Sequence, residues 1–452
     1  MAKEPKVMIN PQQLATQFAT LDVQTQVDQL NRQQSTLNSE STALTTLQTA
    51  LTDFQTAIDV LNDTESGALV NAATVSNDAA ATVSADSTAQ PGSYSFYVES
   101  LASAQQFAYQ GIAENDVPTK GVVSISLGDS EDVISIDLST IDEDGDGLNS
   151  VNEFADAIND SPDNPGVTAS LVKSNGQTSL LLTSDDTGAA NTLHVEMTGV
   201  PDSTFSKSLL APQQLSPASD AVVYLGGDPT TGLKMTNSSN TFDDLIEGVS
   251  ITFNEVNAPN SAPVKVSIST DESASQAQVQ TFVDAYNALV DSLDSLTASG
   301  GGDDNATRGA MAGDAGITSL ESQMRNYIRQ DYDGVSLMDY GVSADTDGHL
   351  EIDGTEFDDM MKTNPEGLNS IFVGDDSLVG KLDASLDTFL DEDNGVIKMR
   401  QDAIDDSQER LDTSADSLQQ RYDSAYNRYL TEYTNLMVTM TEMENTMAAF
   451  QA

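Results

Sequence analysis

The twelve residues from Asp142 to Glu153 have the composition and spacing of a calcium loop. Asp142, Asp144 and Asp146 stand at its first, third and fifth positions, Gly147 at the sixth and Glu153 at the twelfth. Calcium takes oxygen ligands, so three carboxylates converging in a tight turn suit it. Gly147 permits the bend, the Leu148 carbonyl supplies a backbone ligand, and Glu153 closes the site from the start of a helix. Asn149 stands where an aliphatic residue is usual, and no helix precedes the loop. The expected form is therefore a lone structural calcium site, not half of a packed pair. An acidic turn leading into a helix N-terminus would carry the same residues, because the helix dipole alone favours carboxylates there.

Other candidate chemistry is thinner. Asp345, Asp347, His349 and Glu351 alternate within a strand-turn-strand, which reads as an ordinary Asp-Gly turn. His194 and His349 are the only histidines, and no Gly-x-Ser-x-Gly elbow is present. Gly300 to Gly302 are followed by Asp303 and Asp304, which would repel a phosphate. With no cysteine, the chain lacks thiol nucleophiles, thiolate metal sites and disulfides. The residues point away from an enzyme.

The elements around these residues fall into three stretches. Leu30, Leu37, Leu44, Leu51 and Ile58 recur every seven residues, with Leu47, Phe54 and Leu61 as a second row. Near the other end Ile397, Ile404, Leu411, Leu418 and Ala425 do the same, with Tyr422 and Tyr429 beside them. Such repeats predict helices with one apolar seam that must meet another helix. The last helix continues through Tyr433, Leu436, Met440, Met443, Met447 and Phe450, with a shift of register. A Met- and Tyr-rich stripe there suits an adaptable partner surface. Between the ends, alternation such as Phe96 and Val98 or Ile134 and Ile136, punctuated by turns such as Asn175-Gly176, predicts a β-rich middle with one helix over 151–159. Helix returns near Ser273, with a stripe from Val279 to Leu296.

The charge balance is 72 acidic against 18 basic residues, or −54. Such a field repels phosphate backbones and anionic lipid, so neither nucleic acid nor a membrane is an expected partner. It fits a salty setting, where screening limits self-repulsion. The first residues lack the apolar run of a cleavable signal, and no stretch is long enough to span a bilayer.

The fold class that follows is multidomain α+β, a helical coiled-coil or bundle stalk built from both termini with β-rich head domains inserted. Residues 1–40 and 415–452 are expected to form legs that order only on a partner. Residues 41–68 and 271–414 form the stalk, 69–112 with 222–270 a first head domain, and 113–221 a second that holds the calcium loop. Leu30, Leu37, Leu44, Leu51, Ile404, Leu411, Leu418 and the stripe from Tyr429 to Phe450 are the expected partner and oligomer contacts.

Several segments, in order along the chain, carry a resemblance to a known family. Gly92–Gln106, with its Gly-Ser-Tyr start and Leu-Ala-x-Ala-Gln end, is the first. Phe154–Asn159 with Gly166–Ser170, Leu180–Asn191, and Ser239 to Phe253 around Gly248-Val249 follow. Phe282–Val290 is the most recognisable helix, and Ser336–Asp353, Asn364-Pro365 and Ile371-Phe372 complete the series. The chain thus resembles the flagellar filament capping proteins, also called flagellar hook-associated protein 2. The extreme acidity and the loop near Asp142 depart from the family pattern. The resemblance implies an extracellular cap at the filament tip, exported through the flagellum's own channel without a cleaved signal, with a cytosolic export chaperone. It also implies a ring of about five or six copies with flagellin as the partner beneath it. Rival architectures are another axial protein, either a flagellin or a hook–filament junction protein, and a surface adhesin with a calcium-dependent head.

Overall fold

The structure, a computed structural model, describes residues 10–63, 67–130, 132–174, 177–259, 261–301 and 308–451. The Asn175-Gly176 turn, Gly302 to Asp304 and the first nine residues of the expected leg lie outside them. The chain divides into two compact units. Met1–Asp63 joins Ser273–Ala452 in one, and Thr64–Glu272 forms the other.

In chain order, α1 (Pro11–Asp59) precedes six strands: β1 (Asn71–Val75), β2 (Ala81–Ala85), β3 (Gly92–Ser100), β4 (Gln106–Ile112), β5 (Val122–Leu127) and β6 (Val133–Asp137). Then come α2 (Val151–Asn159), β7 (Val167–Ser174), β8 (Gln177–Ser184), β9 (Leu193–Thr198), α3 (Thr204–Leu209) and β10 (Gln213–Ser216). The middle ends with β11 (Ala221–Leu225), β12 (Leu233–Asn237), β13 (Thr241–Ile246), β14 (Val249–Phe253) and β15 (Val264–Thr270). The last stretch holds α4 (Glu272–Thr297), α5 (Ala315–Ile328), β16 (Val342–Ala344), β17 (Leu350–Ile352), α6 (Gly354–Thr363), α7 (Gly367–Phe372), α8 (Leu378–Leu390) and α9 (Val396–Gln451).

In the helical unit α1 starts cleanly. The Asn10 side chain accepts from the Gln12 and Gln13 N–H groups, and Pro11 fills the first helical position, where its missing donor costs nothing. Leu44, Leu47, Leu51, Phe54 and Ile58 of α1 are buried with the α4 stripe Val279, Phe282, Tyr286 and Leu289. Phe282 meets Phe372 of α7 edge-on at 5.4 Å, and Phe54 lies 6.2–6.3 Å from Tyr286 and Phe282. Asp314 caps α5 through the Gly316 and Ile317 N–H groups and reaches Arg400 of α9 at 2.6 Å. α1 and α9 are each continuous, so the expected leg–stalk divisions at 40 and 415 fall inside single helices.

The β-rich unit has two hydrophobic cores. One lies among the sheets β1-β15-β3-β11-β12 and β13-β14-β2, where Phe253 is edge-on to Phe96 and Phe242 at 5.6 and 5.7 Å. The other lies among β10-β4-β8-β7, β6-β5-β9, α2 and α3, with Phe154 perpendicular to Phe205 at 5.1 Å. The division between them falls before β4, not after residue 112 as expected. β4 pairs with β8 and β10 and buries Ala108, Tyr109 and Ile112 in the second core. A second helix, α3, is also present beside α2. Its polar sequence hid it, although Ser203 and Ser206 cap it reciprocally.

Candidate functional site

The two chain ends run antiparallel beside each other. Gln34 of α1 and Gln408 of α9 exchange side-chain hydrogen bonds at 2.7 and 3.2 Å. Further along, Asp22 accepts from the Arg428 guanidinium at 2.9 Å and from the Tyr429 hydroxyl at 3.1 Å. Phe18 lies 5.6 Å from both Tyr429 and Tyr433. Ala15 and Ala19 are fully buried, which lets the helices approach closely. Leu37, Leu44 and Leu51 are buried, whereas Leu30, Ile404, Leu411, Leu418, Tyr429 and Tyr433 are only half-buried. Beyond Tyr433 the apolar stripe opens to solvent: Leu436, Met440, Met443, Met447 and Phe450 are exposed, Phe450 to 88%. Two helices cannot cover a seam on all sides, and among the described residues this pair leaves its distal end uncovered.

The Asp142 loop is built from its own backbone. Gly145 and Gly147 take positive φ of 73° and 81°, which a side chain would resist. The Asp142 carboxylate accepts from the Gly145 and Gly147 N–H groups at 2.8 and 3.0 Å. Asp144 accepts from the Asp146 N–H, and Asp146 from the Leu148 N–H. One carboxylate oxygen from each of Asp142, Asp144 and Asp146 lies within 4.8 Å of the others. Glu153 does not join them. It accepts from the Ser150 N–H and hydroxyl at 2.7 and 2.8 Å and from the Glu143 N–H at 2.9 Å, completing the capping box of α2. Those donors, Ser150 first, hold its carboxyl below the ordinary range. Asn149 is buried and donates to the Pro118 and Leu138 carbonyls, so the unusual eighth residue anchors the loop. Three carboxylates fit a calcium ion, and Glu153 would exchange its capping bonds to become a fourth.

His349 gathers carboxylates, not a metal set. Its Nε2 lies 3.0 Å from Asp291 of α4 and its Nδ1 3.8 Å from Asp345. The Asp291 hydrogen bond, with the charges of Asp291, Asp345 and Asp294, raises its pKa against partial desolvation. Glu351 is exposed on β17, and Asp347 contributes its backbone N–H to the turn. His194 is exposed on β9 in the other unit. The polar contacts between α1 and α9 escaped the sequence pattern, since single Gln, Asp and Arg residues carry no period.

Models of the flagellar hook-associated protein 2 N-terminus and C-terminus match residues 8–105 and 218–445. The lateral flagellar hook-associated protein 2 of Vibrio parahaemolyticus is 36% identical, over 88% of this chain and 89% of the relative. The B-type protein of Pseudomonas aeruginosa is 29% identical, over 72% of this chain and 70% of its own length. The crystal structure of the flagellar cap protein FliD D1-D2-D3 domains from Escherichia coli superposes with a TM-score of 0.64 at 26% identity, covering 80% of this chain and 99% of that one. The paired terminal helices, the inserted β-rich unit and these matches agree: the chain belongs to the flagellar hook-associated protein 2 family.

Proposed function

We propose that this protein caps the flagellar filament by resting its paired terminal helices on the filament end while flagellin subunits insert beneath it. Its family is that of the filament cap, at the extracellular tip of the flagellum. The observation that carries the mode of action is the α1–α9 pair, whose distal stripe from Leu436 to Phe450 has no cover among the described residues. Methionine is flexible and polarisable, so such a stripe can re-pack as each subunit adds. Weak seams suit a cap that must step, and both legs exchange between ordered and frayed states in the lone chain.

The cap works as a closed ring of about five or six copies, with head-to-tail contacts related by rotation. It leaves the cell through the flagellar channel with a cytosolic chaperone, a route in which the lack of cysteine avoids wrong bridges. A single calcium ion at Asp142, Asp144 and Asp146 stiffens the second core of the β-rich unit. Deleting the gene tests the main reading. The expected outcome is cells without filaments that release monomeric flagellin, and added purified protein seen at filament ends. Normal filaments in the deletion strain would refute it.

A further inference from the structure

We infer that α9 carries both halves of an electrostatic contact between copies, its arginine flank seating against the acidic flank of α9 in the next subunit. The inference rests on the capping assembly proposed above and names the surface that joins its members. All eight arginines of the chain lie in the helical unit, although acids outnumber bases fourfold overall. Two are spent internally, Arg400 on Asp314 and Arg428 on Asp22. Arg32, Arg410 and Arg421 have no carboxylate among the described residues within 4.0 Å, and all three are exposed. Arg308, Arg325 and Arg329 share that lack among the described residues, so it is the placement of Arg410 and Arg421 along α9 that carries the argument.

The placement of charge on α9 says what these two meet. At about 100° per residue, Arg410, Arg421 and Arg428 share one flank, interleaved with Ser407, Ser414 and Ser417. Asp405, Glu409, Asp412, Asp416 and Asp423 share another, roughly 140° around the helix. Between Ser407 and Arg428 the arginine flank holds no acid, with Asp406 standing one turn before Arg410 at its edge, and between Asp402 and Asp423 the acidic flank holds no base. Both flanks span the same height. Copies related by rotation about an axis along α9 therefore present plus to minus at one level, and the contact repeats until the ring closes. Arg32 of α1 joins Arg410 on the walls of a groove of about 470 Å³ floored by Leu37 and Leu411, with Glu40 also on its wall. The groove adds apolar surface for the neighbour to cover. Arginine, weakly hydrated and forked, is the cation suited to such an interface.

Charge reversal in the full-length chain tests this. One variant carries R32E, R410E and R421E, a second D405R, D412R and D416R, and a third all six changes. Sedimentation at physiological salt reads self-association. Each triple variant should weaken it about tenfold or more, and the six-fold variant, with both flanks exchanged, should recover to within about threefold of wild type. Unchanged association in the triples, or no recovery in the six-fold variant, overturns the proposal. S414C, the sole cysteine of its chain, labelled with a photo-cross-linker, should capture a peptide from residues 402–423 of a second copy. Capture of flagellin alone at that position also overturns it. If wild-type protein caps filaments while the reversals change nothing, only this contact is wrong. If wild-type protein neither caps nor associates, the capping reading falls with it.

Discussion

Asp142, Asp144 and Asp146 lie close enough to repel one another, and the backbone N–H groups of Gly145, Gly147 and Leu148 offset part of that repulsion. A calcium ion would offset the rest, so its binding should be visible as stability. Extracellular calcium modules bind at roughly 0.1–1 mM, and 10 mM calcium then stabilises by about 1.5–3 kcal/mol. The expected rise in melting temperature is about 3–8 °C by calorimetry, absent in magnesium and absent in D144N/D146N. No shift in wild type would leave the loop as a capped acidic turn. His349 makes a second prediction. Its pKa is raised on folding by Asp291, Asp345 and Asp294, so it stabilises the contact between its hairpin and α4 while protonated. That contribution is full below the usual value near 6.5 and is lost as the pH climbs through the raised value. H349Q should flatten this part of the melting-temperature profile, and an NMR titration of the two imidazoles should give His349 the higher midpoint.

At the scale of elements, α5 is held by one carboxylate with two tasks. Burial pushes the Asp314 carboxyl up, but Arg400 and the Ile317 and Gly316 N–H groups together bring it below its usual value. Its contribution is present above about pH 4 and lost as the pH falls through the lowered value. D314A removes a cap and strands Arg400, whose side chain is 31% exposed. Chemical denaturation should show a loss of about 2–3 kcal/mol, with R400A costing less because the cap survives. These same elements show what the sequence could tell. The heptads of α1 and α9, the helix at Val151–Asn159 and the helix at Leu378–Leu390 were legible, since each has a period or a clear stop. The assignment of β4 was not, because alternation marks a strand but not its partner, and β4 lies next to β3 in sequence while pairing with β8. Short α7, with six residues, buries Leu368, Ile371 and Phe372 through tertiary contacts that leave no periodic trace. The closeness of Asp142, Asp144 and Asp146 is legible from their spacing, whereas the capping bonds between Glu153 and Ser150 compete with the ligand position that the same spacing gives Glu153.

For the whole molecule, the decisive property is that the surface most exposed to a partner lies apart from the residues that hold the chain together. The described core of the helical unit ends on α9 near Ala425, and every residue from Thr434 to Phe450 is exposed. Apolar burial stabilises a fold in proportion to area removed from water, and this stretch removes little. Removing it should therefore leave stability almost untouched. A chain ending after Tyr433 should melt within about 2 °C of wild type by calorimetry, since exposed substitutions seldom exceed ±0.5 kcal/mol. It should fail to bind filament ends in negatively stained images and fail to restore filaments to a deletion strain, even when it reaches the medium. Replacing Met440, Met443 and Met447 by leucine keeps area and apolarity but removes adaptability. That variant should bind filament ends yet support shorter filaments, because a stiffer contact slows each step. Equal filament lengths for the leucine variant and wild type would show that the stripe acts by area alone.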